Sequence, residues 1–290
     1  REKRVAFYHC HTPLHIGSGT ALDIIDLPIQ REAHTDFPVM PSTAIKGVIR
    51  AEYGLKNVGF RPENFPDTPE KCPDSITKDK CDEFFDLFGY GEKEGDIIFT
   101  DAKILLFPVK SVKGVFAWIT CPLVLERFFR DTEKGSVNVP DIKDSEAIAG
   151  ASVTIDGKYL ALEELSFQII KAEDDILKNI HNLLPKDLRD EINIGQIAIV
   201  SNDKFRYFVK NHTEVNARTR IDQTKGTVKE GALWYEELVP AETVFYSLIL
   251  SRTDNKDKLF SLDGFMKGKI FQFGGDETLG RGFTKILMEG

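Results

Sequence analysis

Short apolar runs that suit strands alternate along the chain with stripes that suit amphipathic helices. The segment RVAFYHCHTP is apolar and aromatic up to Pro13, which predicts a first strand followed by the turn HIGSG. In PSTAIKGVIRAEYG, apolar residues recur with helical spacing, Ser42 is a candidate N-cap and Gly54 a candidate stop. We therefore expect the order strand, loop, helix at the start of the chain.

Later runs continue the mixture of strands and helices. Helices are predicted by DEFFDLFGYG, by PLVLERFFRD with Pro122 in its first turn, and by residues 172–184 and about 256–267. Strands are predicted by DIIFTDAKILLFPV, GVFAWITCP, KYLALEELSFQII, TVFYSLIL and KIFQFGG. Because strands outnumber helices, we expect an α+β fold with helices packed on one face of an antiparallel sheet. Residues 56–81 are rich in Pro, Asp and Lys and lack periodicity, which indicates a surface insertion.

Composition narrows the class of protein. The chain has 290 residues, of which 41% are hydrophobic, enough for one large domain or two small ones. No apolar run reaches about 18 residues, so we expect a cytoplasmic protein with no membrane partner. The four cysteines lack the dense spacing of a disulfide framework. Cys72 and Cys81, with His9, Cys10 and His11 as conceivable partners, also lack the close pairs of a structural zinc site.

The charge distribution leaves nucleic-acid binding open. A net charge of -8 argues against a protein whose whole surface wraps nucleic acid, because phosphate binding needs local positive potential. Much of the acid, however, lies in residues 131–147 and 171–191, whereas KGVIR, NARTRIDQTKGTVK and LGRGFTK are basic or neutral. A nucleic-acid groove on an acidic body is therefore possible.

A glycine-rich segment, FGGDETLGRGF, lies between two predicted strands. It contains Gly274, Gly275, Gly280 and Gly282, which allow close approach of the backbone to a phosphate, and Arg281, which adds positive charge. The segment lacks the GK[ST] end of a P-loop and the strand-to-helix context of a dinucleotide fingerprint. An ordinary strand connection is the alternative.

A second basic segment, NARTRIDQTKGTVKEG, is followed by the aromatic pair Trp234 and Tyr235. A β-ribbon with Arg218 and Arg220 on one face could lie on a nucleic-acid backbone, and its aromatic residues could wedge between bases. A solvated hairpin is the alternative that the pattern alone leaves open.

Two aspartates follow the first turn in GSGTALDIIDLPIQRE. On a loop, Asp23 or Asp26 could bind a divalent ion or take a proton from an attacking hydroxyl. Taken alone, either is equally an ordinary surface residue. His15, beside the glycine turn, could be a general base, a phosphate contact or a strand-end residue.

These features occur in an order that resembles a known family. TPLHIGSG is followed by DLPIQRE, FPVMPSTAIKGVIR, VNARTRID with ALWYEELVP, and finally GGDETLGRGF. This series is similar to the RAMP superfamily of CRISPR-associated proteins. LDIIDLPIQRE with FPVMPSTAIKG, together with GVFAWITCPLVLERFFRD, resembles more narrowly the backbone subunits of type III-B (Cmr) effector complexes.

The resemblance implies an RRM-like, ferredoxin-like palm. It implies a single domain over residues 1–290, a surface insertion at about 56–95 and a β-hairpin thumb within about 211–235. The implied partners are a CRISPR guide RNA, a complementary single-stranded target RNA, copies of the chain itself in a helical filament and the other Cmr subunits. The implied activity is endonucleolytic cleavage of target RNA at regular intervals.

The resemblance also implies site residues. Asp26, and not Asp23, matches the catalytic aspartate, and we expect it to act as a general base or as a ligand of a divalent ion, Mg²⁺ or Mn²⁺. The expected products carry a 2′,3′-cyclic phosphate and a 5′-hydroxyl. Glu236 and Glu237 are weaker candidates for a second acid. The expected RNA-binding residues are His15, Gly17, Ser18, Lys46, Arg50, Arg218, Arg220, Gly274, Gly275, Gly280, Arg281 and Gly282.

Three other functions compete with this one. A pure guide-RNA-binding backbone protein would not use Asp26 for catalysis. A guide-processing RAMP endonuclease would cleave with histidine and without metal, so its activity would resist EDTA. A nucleotide-binding enzyme would use the glycine-rich segment, but the missing P-loop argues against it.

Overall fold

The computed structural model describes residues 2–20, 25–91, 93–135, 138–170, 176–222, 227–253 and 256–289. This part of the chain forms seven helices and 17 strands. The helices are α1 Ser42–Tyr53, α2 Lys78–Phe88, α3 Pro122–Thr132, α4 Ile176–Asn182, α5 Lys186–Glu191, α6 Asn202–Asn211 and α7 Lys256–Met266. The strands are β1 Lys3–Cys10, β2 Val39–Met40, β3 Gly89–Tyr90, β4 Lys93–Glu94, β5 Ile97–Phe99, β6 Ala102–Lys110, β7 Phe116–Thr120, β8 Glu146–Ala149, β9 Thr154–Ile155, β10 Tyr159–Leu162, β11 Leu165–Ile169, β12 Ile197–Val200, β13 Glu214–Asp222, β14 Thr227–Leu238, β15 Val244–Ser251, β16 Ile270–Gln272 and β17 Phe283–Glu289.

Four strands form the expected palm. They lie in the order β17, β1, β15, β6, and each adjacent pair is antiparallel. Helix α1 lies between β1 and β6 in the sequence, and α7 lies between β15 and β17. This is the βαββαβ pattern of a ferredoxin-like fold. The prediction of an α+β fold with a ferredoxin-like palm is therefore confirmed.

The long strand β6 joins the palm to a second half of the sheet. Its first part pairs with β15, and its last part, Phe107–Lys110, pairs with β7. From β7 the sheet continues through β12, β8, β11, β10 and β9. Helix α3 packs on this junction, with the Phe128 ring centroid 4.9 Å from that of Tyr246. The predicted helix at Pro122 is thus a core element.

Helix α1 differs from its prediction at both ends. Ser42 is its first residue and caps nothing with its side chain; Pro41 is the N-cap, and the Ser42 N–H donates to Asp101 Oδ1 over 2.7 Å. Gly54 keeps right-handed angles, and the chain continues in a wider helical turn to Gly59, whose φ is +92°. Gly54 is needed for space instead, because a Cβ there would lie 2.6 Å from the Phe65 ring.

The insertion after α1 is more than a surface loop. The rings of Phe60, Phe65 and Phe84 pack edge to face, with centroids 5.0 to 5.7 Å apart. The structure also pairs the sulfur atoms of Cys72 and Cys81, whose Cα atoms are 6.5 Å apart. Sequence spacing gave no sign of this pair. Among the described residues, the groups of side chains that could hold a metal contain no cysteine.

In the described ranges, every helix is too short or too polar to cross the apolar layer of a membrane.

Candidate functional site

The loop after β1 returns across the root of a two-stranded arm, which is formed by β13 and β14. Leu27 N–H donates to Tyr235 O over 3.1 Å, and Leu27 O accepts from Glu237 N over 3.0 Å. On the other side, Ser18 N–H donates to Pro28 O over 2.9 Å. The segment that follows Asp26 is thus fixed between the first turn and the arm.

Asp26 stands at the edge of this junction. Its Oδ2 accepts a hydrogen bond from Tyr235 N–H at 2.7 Å, and the side chain is partly exposed. Among the described residues, no donor reaches the other carboxylate oxygen. One oxygen therefore orients the group, and within the described ranges the second oxygen is available to a ligand. Asp23 lies outside the described residues.

His15 lies directly behind the first turn and is 8% exposed. Its Nδ1 is 2.7 Å from the carbonyl oxygen of Glu237, which can only accept, so Nδ1 carries a proton. The Nε2 atom lies 4.0 Å from Glu236 Oε1. Gly17 leaves room for the ring, because a Cβ there would lie 2.9 Å from Nε2.

Backbone hydrogen bonds hold the glycine-rich segment between β16 and β17 against this first turn. Gly275 N–H donates to His15 O over 2.9 Å, and Gly282 N–H donates to Pro13 O over 2.9 Å. Gly274 passes so close that a Cβ would lie 2.0 Å from His15 O. The two glycine-containing segments that the sequence separates by more than half the chain therefore form one surface.

Arg218 ties the arm to the glycine-rich segment. One of its guanidinium nitrogens lies 2.6 Å from Glu236 Oε2 and 2.6 Å from Asp276 Oδ2. The hydrogen bond to Glu236 raises the pKa of Arg218. Arg218 is thus engaged in ion pairs within the protein, and its contact with RNA stays a prediction. Arg220, two residues along, is exposed.

Arg281 extends the charge of the same surface. Burial raises the pKa of Glu214 at the start of the arm, and the positive charge of Arg281 acts in the opposite direction. The Arg281 N–H also donates to Asp276 O over 3.3 Å within its own loop. Gly280 beside it is left-handed, with φ +76° and no neighbour near the position of a Cβ.

Glu237 holds the root of the arm together. It is 3% exposed, and its carboxylate accepts hydrogen bonds from Arg31 Nη2, from Ile29 N–H at 3.0 Å and from Thr213 Oγ1 at 2.8 Å. Glu236, its neighbour in sequence, is 4% exposed and faces His15 and Arg218. The two acids that the sequence could not distinguish therefore have different partners.

We expect Glu237→Ala to lower the free energy of unfolding by about 3 kcal/mol, because it leaves the Arg31 guanidinium partly buried without its carboxylate. The measurement is urea-induced unfolding of the purified chain. Glu126→Ala, on the exposed face of α3, is the control and should change stability by less than about 0.5 kcal/mol. Equal losses in the two variants would contradict a stabilising role for Glu237.

Lys46 and Arg50 lie one helical turn apart on α1. Burial lowers the pKa of both side chains, and the positive charge of Arg50 lowers that of Lys46 further. The Arg50 guanidinium rests 5.0 to 5.2 Å from the Phe84 and Phe65 ring centroids. Arg50 thus packs against the insertion, and its contact with RNA stays a prediction. Lys46 has no ion-pair partner among the described residues.

The donors around Asp26 do not form a complete metal cage. The groups of three metal-ligating side chains in the described ranges do not include Asp26. The one free carboxylate oxygen fits an ion such as Mg²⁺, which commonly binds through one or two carboxylates, water and substrate phosphates.

Comparison with known proteins gives consistent matches. A family model described as "RAMP superfamily" matches residues 7–285. The "CRISPR system Cmr endoribonuclease Cmr4" of Pyrococcus furiosus is 40% identical over 96% of this chain and 92% of its own length. The crystal structure of oligomeric Cmr4 from the same organism aligns with a TM-score of 0.77 at 34% identity, covering 99% of this chain and 98% of that one. A chain in the cryo-EM structure of the type III-B Cmr-beta complex bound to cognate target RNA has a similar fold, with a TM-score of 0.74 at 22% identity, covering 99% and 97%.

Proposed function

Because the chain belongs to the RAMP superfamily, as its motifs predicted, we propose that it is the guide-RNA-binding backbone subunit of a type III-B CRISPR complex and cleaves complementary target RNA. The relative with 40% identity is an endoribonuclease by name, which supports RNA cleavage. The observation that carries the proposal is the Asp26 carboxylate, which the Tyr235 amide orients and whose other oxygen meets no donor among the described residues.

The proposed reaction uses the 2′-hydroxyl of the target RNA as nucleophile. Asp26 takes the 2′ proton, the 2′-oxygen forms a bond to phosphorus, and the bond from phosphorus to the 5′-oxygen breaks. The departing 5′-oxygen takes a proton from water. The products are a 2′,3′-cyclic phosphate and a 5′-hydroxyl, and the amides and charge of the glycine-rich segment support the phosphate.

As the alternative role for Asp26, we propose that its carboxylate binds Mg²⁺ or Mn²⁺ and that water, instead of Asp26, takes the 2′ proton. When bound, the ion would offset negative charge on the phosphate. The chain's own contribution is the fixed carboxylate, since the Tyr235 amide holds Oδ2 in place without RNA. Positioning of this kind lowers the barrier by removing the need to order the group during the reaction.

The proposed partners follow from the same site. Guide RNA would contact Lys46 and the first turn with Gly17 and Ser18, and exposed Arg220 on the arm would contact the guide–target duplex. Copies of the chain would stack along the guide in a helical filament, capped by other Cmr subunits, in the cytoplasm. The oligomeric state of the Pyrococcus furiosus relative supports self-association.

The test is cleavage of an end-labelled RNA complementary to the guide by the reconstituted complex, with Mg²⁺ and with EDTA. We expect evenly spaced cuts whose 3′ ends resist phosphatase until the cyclic phosphate is opened by acid. Cuts that persist in EDTA would favour a metal-independent enzyme. If cuts persisted when only this subunit was inactivated, the chain would be an RNA-organising backbone and another subunit would cleave the RNA.

A further inference from the structure

A second cluster of ionisable side chains lies away from Asp26, at the end of β1. His9 and His11 project from the end of this strand, Glu191 ends α5, and Lys285 comes from β17. The ring centroids of His9 and His11 are 5.0 Å apart. The candidate ligand atoms of His9, His11 and Glu191 all lie within 4.8 Å of one another.

The hydrogen bonds of His9 are the informative feature. Its side chain is 4% exposed, and each ring nitrogen faces a carboxylate: Nε2 lies 3.0 Å from Glu242 Oε2, and Nδ1 lies 2.9 Å from Glu191 Oε2. A neutral imidazole has one N–H and one lone pair, whereas an ionised carboxylate only accepts. Two such contacts need either a second proton on the ring or a cation between one nitrogen and its carboxylate.

Glu242 is better placed than Glu191 to receive the proton of a neutral His9. It is held by its own N–H, which donates to Cys10 O over 2.7 Å, and by its carbonyl, which accepts from Trp118 Nε1 at 3.0 Å. The backbone φ of Glu242 is +70°, which is unusual for a residue other than glycine. The surrounding contacts therefore hold Glu242 in this conformation. A histidine that binds a metal through one ring nitrogen commonly donates the N–H of its other ring nitrogen to a carboxylate, which fixes the tautomer.

The remaining ligands are accessible and suited to a cation. The side chains of His11 and Glu191 are 33% and 35% exposed, so an ion can enter from solvent. An imidazole nitrogen and a carboxylate oxygen are both ligands that divalent transition metals bind.

We propose that His9, His11 and Glu191 bind a transition-metal dication, with Zn²⁺ as the best match, and that Glu242 orients His9 as a positioning residue. Two imidazole nitrogens and one carboxylate leave a fourth position for water, which suits tetrahedral zinc better than Mg²⁺ or Ca²⁺. The ion would connect the end of β1 in the palm to helix α5, which lies between β11 and β12 in the sequence. It is separate from any ion that RNA brings to Asp26.

A metal ion at this site would affect the interpretation of RNA cleavage measured in EDTA. His11 N–H donates to Phe283 O, and four residues later His15 contacts the glycine-rich segment. Removing an ion from His11 could disturb that surface indirectly. Loss of RNA cleavage in EDTA would then not establish an ion at Asp26 unless cleavage returned with Mg²⁺ alone.

The test measures metal content and affinity. The full chain is stripped with EDTA and titrated with Zn²⁺, and bound metal is counted by mass spectrometry after gel filtration. We expect about one Zn²⁺ per chain, and we expect Co²⁺ in its place to show the visible absorption of a four-coordinate ion. His11→Gln and Glu191→Gln should each weaken binding at least ~100-fold, and Glu242→Gln about 10- to 100-fold.

His34→Gln is the matched control, because the His34 side chain is 71% exposed and lies outside the cluster. It should keep full zinc affinity. Circular dichroism of each metal-free variant separates lost ligands from lost fold. Absence of stoichiometric zinc from the wild-type chain, or unchanged affinity in His11→Gln, would overturn the proposal and leave His9 as a doubly protonated ring between two carboxylates.

Discussion

Asp26→Asn is expected to lower target-RNA cleavage by the reconstituted complex at least ~100-fold and to leave target binding unchanged. General acid–base groups contribute about 10²- to 10⁴-fold to a rate, and asparagine cannot take the 2′ proton. The substitution keeps an oxygen that accepts from Tyr235 N–H, so the loop and arm stay connected. The measurement is the single-turnover rate of cutting, with binding of the same RNA followed by gel shift.

Asp23→Asn provides the control for this prediction. It removes an equal charge three positions earlier in the sequence, at the aspartate that the family motif does not match. We expect it to cut at nearly the wild-type rate. If Asp23→Asn cleaved RNA slowly and Asp26→Asn cleaved it at the wild-type rate, Asp23 would be the catalytic residue. If both variants cleaved at the wild-type rate, the catalytic residue would lie elsewhere in the complex.

Gly274→Ala is expected to destabilise the chain by on the order of 4 kcal/mol, among the larger effects of a single substitution. Its φ is +76°, and the added Cβ would lie 2.0 Å from the backbone oxygen of His15. The glycine-rich segment would have to separate from the first turn to remove this overlap. Urea-induced unfolding gives the loss of free energy, and the slope shows whether the folded state has loosened.

Gly280→Ala separates steric overlap from backbone strain. Gly280 has the same φ of +76°, yet no atom lies within 4 Å of where its Cβ would stand. Only the strain of a left-handed alanine remains, which costs about 1 to 2 kcal/mol. If Gly274→Ala lowered the free energy of unfolding by no more than Gly280→Ala, the glycine-rich segment and the first turn would not be tightly packed.

Much of the palm could be predicted from local patterns, because its strands and helices bury their own apolar faces. Helix α3 and strand β15 follow their apolar runs closely. Gly54 was misjudged because its role depends on Phe65, eleven residues later, and no local rule reports such packing. The pairing of Cys72 with Cys81 likewise depends on how the insertion folds back.

The candidate site was harder to predict than the fold, because its members meet only through long-range pairing. His15 contacts the backbone of Glu237, and Asp26 contacts that of Tyr235, both more than 200 positions away. Side chains alternate along a strand, which predicts one buried and one exposed acid for Glu236 and Glu237. Both are buried because each is enclosed by its own partners: Glu237 by Ile29, Arg31 and Thr213, and Glu236 by His15 and Arg218.

The central position of β1 in the palm has a consequence for synthesis of the protein. Its hydrogen-bonding neighbours, β15 and β17, begin at Val244 and Phe283. About 230 residues must therefore leave the ribosome before β1 can pair, which takes on the order of ten seconds or more at usual rates of translation. During that time an apolar strand, Val5 to Cys10, has no sheet to join. The apolar side chains of β1 must therefore be kept from solvent in some other way until β15 has been made.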